Sequence, residues 1–183
     1  MTMKKDFDLD KAIRKVPNFP KPGILFYDIT SILINPQAFQ YCLDQMASLY
    51  GQEKLDAVCA IESRGFIFAA PFAARFGLPF ILIRKKGKLP GETLRQEFSL
   101  EYGTDTIEVH KADLKPGWHV ILVDDLIATG GTLKAACQML EQAMVKVNAI
   151  FAVIGLPFLK YEEVLKGYQV RTLINYDSEE IKG

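Results

Sequence analysis

Val120-Ile121-Leu122-Val123-Asp124-Asp125-Leu126-Ile127-Ala128-Thr129-Gly130-Gly131-Thr132 is the stretch from which the rest of the chain is read. Four apolar residues read as a buried parallel strand, two carboxylates stand at its carboxyl end, and a small Gly/Thr turn opens an amphipathic helix over Leu133 to Met144. In an open α/β sheet, ligands bind outside the carboxyl ends of strands. A helix N-terminus there offers free N–H groups and a positive dipole end to an anion. Gly130 and Gly131 permit positive φ and close backbone approach, so successive N–H groups across Ala128 to Thr132 can cradle a phosphate. The hydroxyls of Thr129 and Thr132 add donors. Asp124 and Asp125 accept only when ionised, which suits the vicinal hydroxyls of a sugar rather than a second anion. Phosphate plus sugar specifies a ribose 5-phosphate group. No lysine follows the glycines and no G-x-G-x-x-G spacing is present, so NTPase and dinucleotide readings lose ground. An acidic strand end followed by an ordinary helix start is the plainer alternative.

Outward from that stretch, the totals bound the fold. A chain of 183 residues, 49% hydrophobic, can bury a real core as one domain. Lys plus Arg balance Asp plus Glu at 22 each, so no global field draws the chain to nucleic acid or to a membrane. Cys42, Cys59 and Cys137 are an odd set without metal-ligand spacing, which reads as buried reduced thiols and a reducing cytoplasm. The N-terminus carries Asp6, Asp8 and Asp10 in place of an apolar signal region. The longest apolar run, Phe66 to Ala74, is interrupted by Pro71. Neither a signal peptide nor a transmembrane span is expected.

Taken in order, Asp8 to Val16 carries Leu9, Ile13 and Val16 at helical spacing and predicts a short helix ended by Pro17. Asn18 to Thr30 is an irregular path set by two prolines and a glycine. Pro36 to Tyr50 reads as a helix and Asp56 to Ile61 as a strand. At the next strand-to-helix junction, Ser63-Arg64-Gly65 offers backbone donors and a guanidinium to an anion, before a helix over Phe66 to Phe76. Phe80 to Ile83 is a further strand. The basic run from Arg84 to Lys88 leaves its end as the other two anion sites do, so Arg84 and Lys88 suit a diphosphate, although such runs are usually solvated loops. Glu92 to His110 alternates as an inserted hairpin, a flap able to exclude water. Val147 to Leu156 is a strand, Tyr161 to Lys166 a short helix, Gln169 to Ile174 a last strand, and Asp177 to Gly183 a frayed acidic tail. His110 and His119 have no ligand spacing and receive no function. This alternation predicts an α/β fold: a mostly parallel twisted sheet flanked by helices, with an N-terminal hood and the inserted hairpin.

The central segment resembles the phosphoribosyl diphosphate (PRPP) signature of type I phosphoribosyltransferases. Together with the hood, Ser63-Arg64-Gly65-Phe66, the run from Arg84 to Gly91, and Ser99-Leu100-Glu101-Tyr102-Gly103, it resembles the adenine phosphoribosyltransferase family over nearly the full length. The resemblance implies a single type I phosphoribosyltransferase domain over residues 1–183, with the hood at about 1–34 and the flexible loop at about 88–110. It implies purine salvage, in which adenine and PRPP give AMP and diphosphate with inversion at C1′. Phe26 then stacks on the purine, main-chain groups of Leu25 and Tyr27 read its edge, and Leu156 covers the opposite face. Core packing explains a Phe or a Leu at those strand ends equally well. Glu101 is placed near the purine imidazole as the acid/base that takes the proton lost when N9 attacks. Ser63, Arg64, Arg84, Lys88 and Tyr102 serve the diphosphate, though Tyr102 could instead pack under the hairpin, and the peptide between Glu62 and Ser63 is expected to be cis. Mg²⁺ is implied as cofactor, held through PRPP oxygens and water with no direct protein ligand. A cytoplasmic homodimer is implied as well. The chain departs from the family pattern at Tyr27, where many members have Arg, and at Gly155, where many have Glu. Two other readings stand beside this one: transfer to another purine such as xanthine or hypoxanthine, and a regulator that keeps the fold as a PRPP sensor. The second lacks a DNA-binding helix pair and retains Glu101.

Overall fold

The computed structural model describes residues 7–99 and 103–178. A short helix α1 (Leu9–Ala12) leads into strands β1 (Arg14–Pro17) and β2 (Leu25–Asp28), then helices α2 (Thr30–Leu33) and α3 (Pro36–Tyr50). The body follows as β3 (Ala57–Ile61), α4 (Gly65–Phe76), β4 (Phe80–Lys85), β5 (Thr93–Ser99), β6 (Thr104–His110), β7 (His119–Ile127), α5 (Gly131–Gln142), β8 (Lys146–Gly155), α6 (Tyr161–Val164) and β9 (Val170–Asn175). β1 and β2 form an antiparallel ribbon, and the other seven strands form one sheet in the order β5-β6-β4-β3-β7-β8-β9. β4, β3, β7, β8 and β9 run parallel, while β6 joins β4 antiparallel and carries β5 at the sheet edge.

The central parallel strands β3, β7 and β8 are apolar over the lengths where both faces are covered. Val58, Ala60, Ile121 and Val123 face one core with α3 and α4. Cys59, Ile61, Val120 and Leu122 face a second core with α5. α3 starts where Asn35 accepts the N–H groups of Gln37 and Ala38, and it buries Ala38, Cys42, Met46 and Tyr50 along one stripe. All three cysteines are free and buried, and burial pushes the Cys42 and Cys137 thiols up to about 12. Among the described residues no helix is long and apolar enough to cross a membrane.

Several boundaries differ from the sequence expectation, two of them with consequences for the site. The helix expected over Asp8 to Val16 ends at Ala12, because the Ser31 hydroxyl takes the Arg14 N–H at 2.8 Å and residues Arg14–Pro17 pair with β2 instead. The strand expected over Val120 to Val123 runs on to Ile127, since β8 continues beside it through the rungs Asp124↔Ala152 and Ile127↔Gly155. Asp124 and Asp125 therefore sit inside the last part of β7. In chain order the parallel strands run outward in one direction from β3 to β4 and in the other from β7 to β9, so the switch point falls between β3 and β7. A crevice opens there at the carboxyl ends.

Candidate active site

Three turns meet at that switch point. The first leaves β3 as Glu62-Ser63-Arg64, with a cis peptide between Glu62 and Ser63. α4 then starts at Gly65, whose lack of a side chain is required: a Cβ would stand 2.8 Å from the Val123 carbonyl oxygen and 3.1 Å from Asp124 Cα. This close approach holds the Ser63-Arg64 turn against the acidic pair. Arg64 Nε lies 2.9 Å from Asp125 Oδ2. The N–H is not aimed at that oxygen, which is left as a buried carboxylate oxygen without a directed hydrogen bond. Asp124 Oδ1 accepts the Asp125 N–H at 2.8 Å. Burial, and then the neighbouring Asp125 charge, hold the Asp124 carboxyl well above its ordinary value. Asp125 is raised by burial too, with Arg64 opposing.

The second turn is Ala128-Thr129-Gly130-Gly131-Thr132. Gly130 precedes α5 with φ of 81° and supplies no side-chain cap, so the first N–H groups of α5 face outward without a side-chain acceptor. Leu156 lies beside this turn, its N–H donating to the Ile127 carbonyl at 2.9 Å. The third turn, Lys86 to Leu89, follows β4, which runs on to carry Arg84 and Lys85 at its end, and two carboxylates fasten it there. Glu62 accepts from Arg84 Nη2 at 2.8 Å and from the Lys85 N–H at 3.0 Å. Glu108, wholly buried on β6, accepts the Lys88 and Leu89 N–H groups at 3.0 Å each. Arg95 Nε reaches the other Glu108 oxygen at 3.2 Å.

The hood comes close from the opposite side. The Asp28 carboxyl at the end of β2 is held below its ordinary value first by the Thr30 hydroxyl, with Arg14 and Arg64 adding, so the guanidinium of the first turn is felt at the hood. Phe26 is half-buried and meets Phe19 edge-on at 5.0 Å between centroids. Leu25 and Tyr27 turn inward and are buried.

The structure thus gathers Ser63, Arg64, Asp124, Asp125 and the turn from Ala128 to Thr132, with Leu156 alongside. Arg84 is placed at the same crevice, but its guanidinium is engaged by Glu62 and by the Lys88 carbonyl at 3.1 Å. Lys88 is anchored through its backbone while its side chain stays exposed. The Tyr27 ring packs on Tyr176 and its hydroxyl donates to the Ser178 carbonyl at 3.3 Å, so the side chain is held in the interior. Glu101 and Tyr102 lie outside the described residues. The sequence singled out neither Glu108 nor the Glu62 side chain, naming Glu62 only for its peptide with Ser63. No local signal marks either as a fastening of the basic turn, because the partners come from other strands. Among the described residues no group of three or more His, Cys, Asp or Glu gathers to hold a metal. A divalent ion with oxygen preference would meet the buried Asp125 and the partly buried Asp124, and the Asp125 oxygen, paired with Arg64 but lacking a directed hydrogen bond, fits such a neighbour carried in on substrate oxygens. A groove of about 1020 Å³ bounded by Phe7, Tyr41, Arg75 and Phe76 lies on the α3 side, away from these carboxylates.

Residues 28–179 match the phosphoribosyl transferase domain family. An adenine phosphoribosyltransferase of Treponema denticola is 61% identical over 177 residues, covering 97% of this chain and 93% of that protein. The crystal structure of adenine phosphoribosyltransferase from Thermoanaerobacter pseudethanolicus superposes with a TM-score of 0.88 at 43% identity, covering 92% of this chain and 98% of that one. The Saccharomyces cerevisiae enzyme, complexed with an imino-altritol bisphosphate and adenine, superposes with a TM-score of 0.85 at 39% identity over 91% of this chain and 96% of its own. The chain belongs to the adenine phosphoribosyltransferases of the phosphoribosyl transferase domain family.

Proposed function

We propose that this chain carries out purine salvage as a single domain, transferring the 5-phosphoribosyl group of PRPP to N9 of adenine and giving AMP and diphosphate. The observation that carries this reading is the meeting, at one switch point, of the carboxylate pair Asp124 and Asp125, an uncapped helix start and a Ser63-Arg64 turn pressed against them through Gly65. The open N–H groups from Ala128 to Thr132 take the 5′-phosphate, and Asp124 and Asp125 take the ribose hydroxyls. Ser63 and Arg64, with the exposed Lys88 side chain and Tyr102, receive the diphosphate, while Arg84 acts by holding the basic turn to Glu62. Binding the diphosphate draws Arg64 toward it and frees the Asp125 oxygen for sugar or cation. Asp124 and Asp125 would face a Mg²⁺ ion brought in with PRPP, which would supply charge neutralisation for the leaving group.

As the C1′–O bond to diphosphate breaks, positive charge spreads over the ribose ring. The nearby carboxylates stabilise that charge. N9 of adenine attacks C1′ from the opposite face, and the imidazole proton passes to Glu101. Phe26 and Leu156 hold the base flat between them, and the main chain of Leu25 and Tyr27 tells an amino-purine from an oxo-purine. We place this enzyme in the cytoplasm as a homodimer, its oligomeric state to be read by sedimentation velocity.

The test is turnover with PRPP, Mg²⁺ and each of adenine, hypoxanthine and xanthine, on the wild-type chain and on Glu101→Gln. Adenine turnover with kcat reduced by about 100-fold or more in the variant is expected. Turnover confined to the 6-oxopurines overturns the choice of base. No turnover, with PRPP still binding, leaves the sensor reading in its place. Unchanged kcat in Glu101→Gln removes that residue from proton transfer.

A further inference from the structure

Phe26 and Tyr27 are neighbours on β2, and a strand sends neighbouring side chains to opposite sides. Phe26 is half-buried at the crevice, whereas Tyr27 is 3% exposed and stacks on Tyr176 with ring centroids 3.9 Å and planes 15° apart. Tyr176 follows the end of β9 and is held by three further contacts. Its hydroxyl donates to Asp10 Oδ1 at 2.6 Å. Lys15, the cross-strand partner of Tyr27, sits 5.3 Å from the Tyr176 ring centroid and 2.8 Å from Asp10 Oδ1. The Tyr176 N–H donates to the Gly155 carbonyl at 3.0 Å, and Gly155 immediately precedes Leu156. One residue therefore touches the neighbour of Phe26 with its ring and the neighbour of Leu156 with its backbone.

We propose that Tyr176 is a positioning residue that sets the separation and tilt of Phe26 against Leu156, the two apolar faces of the purine slot. The inference rests on the functional reading above and deepens it. A two-stranded ribbon such as β1-β2 is marginal by itself, so its orientation on the body is set by what it packs against. The stack and the Asp10–Lys15–Tyr176 contacts are such a fastening, and they connect the hood to the sheet at β9 and β8. The far end of the bridge is close-packed as well: a Cβ on Gly155 would come 2.8 Å from the Tyr161 hydroxyl, so β8 has no room to shift there. A planar base is gripped on both faces, so a small change of separation loses contact on one side. PRPP, held by β3, β7 and α5, does not depend on this bridge.

Steady-state kinetics on the full chain test the role, with adenine and PRPP varied in turn. Wild-type turnover of adenine is measured first, and its absence overturns the functional reading and this inference with it. Tyr176→Ala is expected to raise the adenine KM by roughly tenfold while the PRPP KM moves by less than about twofold. Tyr176→Phe keeps the stack and the backbone bond and is expected to restore the adenine KM to within about threefold of wild type. Where Tyr176→Ala does not fold, as read by circular dichroism, Tyr176→Leu keeps the buried bulk without the stack and is expected to show the same split. Adenine turnover by a folded variant whose two KM values are unchanged, or rise together, overturns the positioning role and leaves the function standing.

Discussion

Glu108 is wholly buried and ionised. Desolvation works against its charge, yet the N–H groups of Leu89, Lys88 and Gly87 and the Arg95 guanidinium outweigh it and hold the carboxyl below its ordinary value. Because folding lowers this pKa, the carboxylate stabilises the fold above the unfolded value near 4.5, and that contribution is lost as pH falls through the folded value. Glu62 follows the same sign, held down first by its bond from Arg84. Glu108→Gln replaces an acceptor-only group with one whose amide N–H groups face backbone donors, which costs about 2 kcal/mol, or about 5 °C in melting temperature at neutral pH. Its melting temperature is also expected to fall less steeply than that of wild type below pH about 4.5. Thermal melts across pH check this, and superimposable curves contradict it. Nothing local reveals the residue, since alternation along Ile107-Glu108-Val109 assigns Glu108 to solvent and the turn that buries it comes from residues 87–89. Asp124 and Asp125 are legible for the opposite reason: acids, phosphate turn and helix start are contiguous in the chain.

At the level of elements, the contact between α4 and β7 decides where the Ser63-Arg64 turn stands. Gly65→Ala puts a Cβ against the Val123 carbonyl and pushes the start of α4 away from β7. Overpacking of this kind costs about 2 to 3 kcal/mol, and it displaces Ser63 and Arg64 from the acidic pair. A lowered melting temperature with a PRPP KM raised by about tenfold is expected, read by calorimetry and kinetics. A PRPP KM within about twofold of wild type separates the turn from PRPP binding. The central helices and strands are legible because long apolar periodicity survives in the sequence, as in α3 and β7. The hood is less so. Residues Arg14–Pro17 carry helical spacing but pair with β2, because Ser31 and the antiparallel partner supply hydrogen bonds that no local pattern announces. The inserted hairpin is read correctly as β5 and β6, while its joining to β4 through Arg84↔Glu108 is a tertiary fact.

Across the whole molecule, zero formal net charge leaves no global field to draw a charged partner, so the reading proposed above rests on local groups: Arg64, which pairs with Asp125 beside Asp124, the basic turn and the α5 start. The strand order puts these groups together, although they lie far apart in the chain. The motif from Asp124 to Thr132 is legible in the chain because it is one contiguous segment, and Phe26 and Leu156 are named there through the family resemblance alone. The Tyr27–Tyr176 bridge between β2 and the end of β8 is not legible, because it joins residues far apart in sequence. A crystal structure with AMP bound decides whether one crevice holds phosphate, sugar and base in the proposed order. The expected arrangement has the 5′-phosphate on the N–H groups of Thr129 to Thr132, the ribose hydroxyls at Asp124 and Asp125, and adenine between Phe26 and Leu156. AMP with its phosphate on Ser63-Arg64, or its base away from Phe26, contradicts it.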